Sequence, residues 1–269
     1  MLGGDTVVFT LKGFKKVKDL ELYDEVLTPF GDFEPVVELG PWEEMEYKVD
    51  LSGYEDIYCS DDLLWYLYNN TSCYTDELDK DTATSNLNFE LEGVSDKKLR
   101  FNPYNYAVVV PDNVPTDIML TSLDNKLAFL AGLIDSPICE LGEVDGIYKL
   151  YMNKKYKTLV DELLAFIRSL RLGCVVKLSG DVYVISFNIT KYIDILPIRD
   201  EYKACYNYSS IGRNIMIKNI EKISEKSNNL SKNDKIMGRK VKVNRGYFLV
   251  GYSLVPVCWY KFDIFIVLW

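Results

Sequence analysis

The chain has 269 residues, 48% apolar and 26% charged, with a formal net charge of −9 and no histidine. That composition excludes a disordered chain and gives length enough for one large domain or two small ones. Without imidazole, Ser-His-Asp, Cys-His and His-metal sites are excluded together, because no other side chain titrates so near neutrality when unperturbed.

Residues 1–110 read as many short strands. Residues 6–10 are β-branched and aromatic, and residues 25–28 lead into a Pro-Gly turn over 29–32. Strands are then expected over 33–39 and 46–51, separated by a break at Gly40-Pro41, followed by an aromatic and apolar stretch over 54–68. Residues 69–99 are polar and predict a loop, with Phe89 and Leu91 able to anchor a short strand. The middle changes character. Ser122 or Asp124 can cap a helix over 126–135 that Pro137 ends, and residues 147–152 predict a strand. A second helix over 155–172 places Leu159, Leu163, Phe166, Ile167 and Leu170 on one face and stops at Gly173. Strands over 174–178 and 181–189 and a short helix over 190–196 complete this part. Residues 200–246 are polar and basic, with one strand over 214–220 and a flexible loop over 224–234. Strands return over 247–254 and 262–268. A β-rich, then α/β, then β-rich order predicts one domain inserted into a loop of another.

Six scattered cysteines (Cys59, Cys73, Cys139, Cys174, Cys205, Cys258) form no C-x-x-C pair and predict buried free thiols in a reducing compartment. The first residues lack the basic and apolar regions of a cleavable signal peptide, and no apolar run reaches the ~20 residues of a membrane span. The chain is therefore expected in the cytoplasm or associated with a virion, with no membrane contact. Residues 1–120 are strongly acidic and residues 121–269 basic. A nucleic-acid face on the basic half is one reading, and a solvated basic loop beside an acidic domain is the other. The tyrosines Tyr66, Tyr68, Tyr74 and Tyr202, Tyr206, Tyr208 suit a core or a protein interface better than base stacking. The acidic runs Glu43-Glu44, Asp61-Asp62 and 76–81 lack the spacing of a Ca²⁺ loop.

Three segments carry a family resemblance. Residues 2–10 (LGGDTVVFT), followed by 17–20 and 24–27, resemble the opening of a Hint-type splicing domain. Residues 57–65 (IYCSDDLLW) resemble its later block, and Leu130-Ala-Gly-Leu-Ile-Asp135 resembles the LAGLIDADG homing-endonuclease motif. The order is that of an intein with an inserted endonuclease. The resemblance implies an α+β chain: an all-β horseshoe from both ends, interrupted by an α/β LAGLIDADG-like domain. The expected division is 1–115, 116–200 and 201–269.

The same resemblance implies lost chemistry. The attacking Cys or Ser falls at Met1, whose thioether is no nucleophile. The amide-polarising histidine falls near Leu63, beside Asp62. The penultimate histidine falls near Trp269, and the cyclising asparagine is missing, so neither splicing nor an upstream segment to splice from is expected. The metal-binding acid of the endonuclease falls at Pro137, with Ile138 where a glycine is usual. Asp135 remains, and Asp145-Gly146 is a displaced alternative. With one motif copy, a nuclease of this kind would have to dimerise. No catalytic, cofactor or metal residue is expected. The expected function is an inactive intein-derived scaffold serving as a structural or protein-interaction module, in a phage or viral particle or another large complex. The alternative is a homing-endonuclease relative that binds or cleaves DNA; an unrelated mixed β domain remains a third reading.

Overall fold

The computed structural model describes residues 1–52, 54–68, 71–84, 99–142, 147–198, 215–223 and 235–258. Short strands fill the N-terminal part: β1 (Leu2–Gly3), β2 (Val7–Thr10), β3 (Gly13–Lys16), β4 (Glu25–Leu27), β5 (Phe33–Glu44), β6 (Tyr47–Leu51), β7 (Glu55–Cys59), β8 (Leu64–Tyr66), β9 (Ser72–Tyr74) and β10 (Ala83–Thr84). The middle holds α1 (Pro103–Val108), α2 (Thr116–Leu120), α3 (Leu123–Ile134), β11 (Cys139–Leu141), β12 (Ile147–Asn153), α4 (Lys157–Ser169), β13 (Cys174–Ser179) and β14 (Val182–Asn188). The C-terminal part supplies β15 (Ile215–Lys222), β16 (Met237–Val243), β17 (Tyr247–Val250) and β18 (Val255–Cys258).

Both ends of the chain build one sheet. Strand β16 lies between β1 and β5, β15 pairs with β6 and β10, β17 with β2, and β18 with β8. In β16 Gly238, Val241 and Val243 are buried, and a bulge between Arg239 and Val241 breaks the simple alternation of faces. The chain leaves this sheet at β10 and rejoins it at β15, which pair antiparallel at Ala83↔Met216 and Thr84↔Ile215. The intervening residues thus start and finish at adjacent points of one ladder. They form a second antiparallel sheet in the order β11-β12-β14-β13. Tyr148, Leu150 and Met152 turn inward from β12, while α3 and α4 meet through the Phe129 and Phe166 rings, 5.0 Å apart. The chain is mostly β, with helices a small share of the described residues.

The two sheets are not packed independently. Phe9, Leu27, Leu249 and Leu254 of the large sheet and its turns belong to the same apolar cluster as α3, α4 and the small sheet. Beside it, the Glu55 carboxylate accepts from the backbone N–H groups of Tyr252 (2.8 Å) and Ser253 (2.9 Å). Arg168 of α4 donates to the carbonyls of Ser253 and Cys174, both at 3.3 Å. Tyr54 donates to Asp161 (2.5 Å), which also pairs with Lys157.

Several expectations change. Residues 103–108 lie in the stretch expected to be strands, yet form α1, because Pro103 starts the helix and the Asn102 side chain accepts from Asn105 N–H (3.0 Å). The break at Gly40-Pro41 is not a strand end: β5 runs through it as a bulge opposite Lys240, where Arg239↔Trp42 gives way to Val241↔Leu39. Residues 190–195 form turns in place of the expected helix over 190–196; Pro197 restricts Leu196, and the hydroxyl of the buried Tyr192 donates to Leu170 O (3.0 Å). The polar stretch 69–99 contributes β9 and β10. Phe89, Leu91, the loop over 224–234 and the strand over 262–268 lie outside the described residues.

Candidate functional site

The site suggested by the sequence is built around Met1. Strand β1 is wedged between β7 and β16, with Leu2 opposite both Cys59 and Arg239. Gly238 makes this wedge possible: a Cβ there would stand 2.2 Å from Leu2 O and 2.5 Å from Met45 Sδ. The wedge carries Met1 to the loop after β7. There Ser60 N–H donates to Met1 O (3.1 Å), and the Met1 nitrogen donates to the Ser60 hydroxyl and to Asp62 Oδ1 (3.1 Å). Ser60 in turn donates to Asp62. Burial works against the Asp62 charge, but the Ser60 hydroxyl and the Met1 nitrogen outweigh it and hold the carboxyl below its ordinary range.

The structure therefore brings Met1, Ser60, Asp62 and Leu63 together. Leu63 is wholly buried within the apolar cluster of the large sheet, and Asp62 is on the surface. Thr75 is the residue that sequence reasoning missed. Its N–H donates to Asp61 O and Leu63 O, each at 3.0 Å. Its hydroxyl donates to Leu63 O (3.2 Å) and accepts from Trp65 Nε1 (3.0 Å), so one side chain fixes the loop 60–63. The signal was a threonine within the polar run, two residues before Glu77, whose carboxylate caps Tyr74 N–H (3.0 Å). Cys59 lies beneath the loop, with Sγ 3.6 Å from Thr75 Oγ1. Burial pushes its thiol up to about 12, so it is protonated and inert at neutral pH.

The second suggested site lies at the end of α3. Asp135 caps the helix and accepts from the Tyr104 hydroxyl of α1 (2.7 Å). Pro137 is exposed and Ile138 half-buried, and among the described residues no group of three His, Cys, Asp or Glu side chains could hold a metal ion. Asp145, Gly146, Trp269, Cys205 and the tyrosines 202, 206 and 208 lie outside the described residues. Of the first tyrosine group, Tyr66 and Tyr74 pack on Leu64, Tyr247 and Cys258, and Tyr68 is exposed.

The solved structures that the chain resembles include inteins and a bacterial intein-like domain. The MchDnaB-1 intein overlaps 96% of this chain and 99% of its own, at 10% identity and a TM-score of 0.41. The bacterial intein-like domain from Clostridium thermocellum overlaps 96% of each chain at 10% identity and a TM-score of 0.37. The gp41-1 intein is 23% identical over 30% of this chain and 64% of its own, with a TM-score of 0.28. No family model matches the sequence, and no curated protein does. Overlaps this loose carry no chemistry across.

The charge asymmetry has a direct structural counterpart. Basic residues of the C-terminal part pair with acids of the N-terminal part: Lys218 with Asp81 (3.6 Å), Lys242 with Glu38 (3.6 Å), Lys235 with Glu44, and Arg245 with Asp32 (2.6 Å) and Glu34 (2.9 Å). Arg239 donates to Val17 O (2.7 Å) and Leu20 O (2.6 Å) and stacks on Trp42. Each exposed pair contributes little. Together they join basic residues between 218 and 245 to acidic residues between 32 and 81 along one sheet. Among the described residues the five cysteines form no disulfide, and no helix is long and apolar enough to cross a membrane.

Proposed function

We propose that this chain is an intein-type horseshoe carrying a homing-endonuclease-type insert, with both chemistries gone, retained as a structural or protein-interaction module of a larger assembly of phage or viral type. The observation that carries the reading is the pairing at the first site: a thioether at Met1 and a sealed isobutyl group at Leu63. Acyl transfer at Met1 needs a nucleophile and a proton donor to the departing nitrogen. The Met1 thioether supplies no proton to lose, and Leu63 has none to give. The helix-strand-strand order of the middle region, run twice through α3 and α4, supports the assignment of the insert. We place that insert between β10 and β15, wider than 116–200. Pro137 at the end of α3 offers no oxygen to a cation, which supports loss of the nuclease.

A second reading has one observation in its favour. Lys149, Tyr151 and Lys177 lie on the face of the small sheet turned away from α3 and α4, a placement suited to phosphate contacts. Glu140 stands opposite Lys149 on the same face and weakens it. The discriminating experiment is size fractionation of cells that make the chain, with plasmid nicking by the pure protein in Mg²⁺ or Mn²⁺ run in parallel. The scaffold reading expects the chain in a large particle and intact plasmid. A free chain that nicks plasmid, with activity lost on Asp135→Ala, would replace it with the nuclease reading.

A further inference from the structure

We propose that α1 is a built-in pairing partner for α3, closing the Ala131-Gly132 face of α3 to any second copy of the chain. The proposal goes beyond the scaffold reading and stands whether or not that reading does. Helix α3 carries Ala131 and Gly132 side by side, which lets another backbone come close. That space is filled from within the chain. A Cβ on Gly132 would meet the Tyr104 carbonyl oxygen at 2.4 Å and Ala107 Cβ at 2.9 Å, and Ala107 is itself fully buried. On the adjoining turn the Phe101, Tyr106 and Phe129 rings stack in series, at 4.8 and 6.4 Å. At the helix end the Tyr104 hydroxyl binds Asp135.

Two independent contacts, a backbone approach at Gly132 and a hydrogen bond at Asp135, thus dock one short helix along α3. Six residues are too few to hold a helix without such docking, so α1 and the covered face stand or fall together. A C₂ dimer needs the same patch free on both copies, and here it is occupied in each. The inserted unit is in this sense completed by its own chain.

The test reads oligomeric state and amide exchange on the full chain. Sedimentation over a wide concentration range is expected to show a single chain throughout. Gly132→Leu puts a strong helix former where α1 must sit, so α3 persists while α1 is displaced. Amide protection over 104–108 is then expected to fall at least tenfold while the β12–β14 ladder keeps its own, and the chain begins to associate with concentration. Should that variant not fold, Tyr104→Phe removes only the bond to Asp135 and is expected to speed exchange in α1 several-fold, with β12–β14 unchanged. A wild-type dimer that Gly132→Leu dissociates would overturn the proposal. So would unchanged α1 protection in both variants, or in Tyr104→Phe alone where Gly132→Leu does not fold.

Discussion

Replacing Leu63 by histidine restores, on paper, the group that the Hint resemblance places there, and it should make the protein worse without making it active. Leu63 is wholly buried, and its carbonyl is already bonded by both the N–H and the hydroxyl of Thr75. Truncating a buried leucine to alanine costs about 2–5 kcal/mol. Imidazole refills most of that volume but brings a polar nitrogen into an apolar cluster, at about 1–3 kcal/mol if it finds no partner. We expect Leu63→His to lose roughly 3 kcal/mol, a fall in Tm of about 6–12 °C for a chain this size. The loss should deepen in acid. A sealed imidazole is held neutral, so its folded pKa lies below the unfolded value of about 6.5, and protonation below that pH favours unfolding. Leu63→Met, which conserves volume, should cost less than about 1.5 kcal/mol and show no such pH dependence. Urea unfolding at several pH values reads all three quantities. A Leu63→His protein as stable as the parent and indifferent to pH would mean that the position is open and polar, and the closed-site reasoning would be wrong.

Gly238→Ala should be strongly destabilising, by about 2–3 kcal/mol or more, because its methyl would stand 2.2 Å from Leu2 O and must push β16 off β1; urea midpoints check this, and a loss under about 0.5 kcal/mol would contradict the wedge. Asp24 is buried and bonded by Lys15 and by Glu21 N–H; burial opposes its charge, but these contacts prevail and hold its carboxyl low. A depressed folded pKa gives stability that is present above the unfolded value of about 3.9 and is lost as pH falls through the folded one. Asp24→Asn should therefore be less stable at pH 7, with the gap closing below about pH 4 in an acid titration. Burial pushes the thiols of Cys59, Cys139 and Cys174 up to about 12 and that of Cys73 up to about 11, so a thiol reagent at pH 8 should label the native chain far more slowly than a free peptide at these four positions, with half-exposed Cys73 first among them.

The parts of the fold legible in the sequence were those with a clean period. The face of Leu159, Leu163, Phe166, Ile167 and Leu170 gave α4, and the β-branched runs gave β2, β13 and β14. Strand β16 escaped notice because a bulge between Arg239 and Val241 breaks the period of its buried residues Gly238, Val241 and Val243, and because its partners β1 and β5 lie some two hundred residues earlier. Pairing across such separation leaves no local mark. Helix α1 was missed for a different reason: six residues give no period, and only the Asn102-Pro103 start signals it. The site was legible as a set of positions (Met1, Asp62, Leu63) but not as a geometry, since Thr75, which fixes their loop, belongs to a stretch that reads as polar loop. The charge halves were legible as an asymmetry, yet their meaning as pairs across one sheet required the strand order.

The measurement that bears most directly on the proposed loss of splicing chemistry is the intact mass of the chain expressed between two folded reporter segments, followed over time with and without added thiol. The account predicts one product, the uncleaved fusion, both for the natural sequence and for the Met1→Cys, Leu63→His double variant. A ligated pair of reporters, or release of the upstream reporter from the natural sequence, would contradict it.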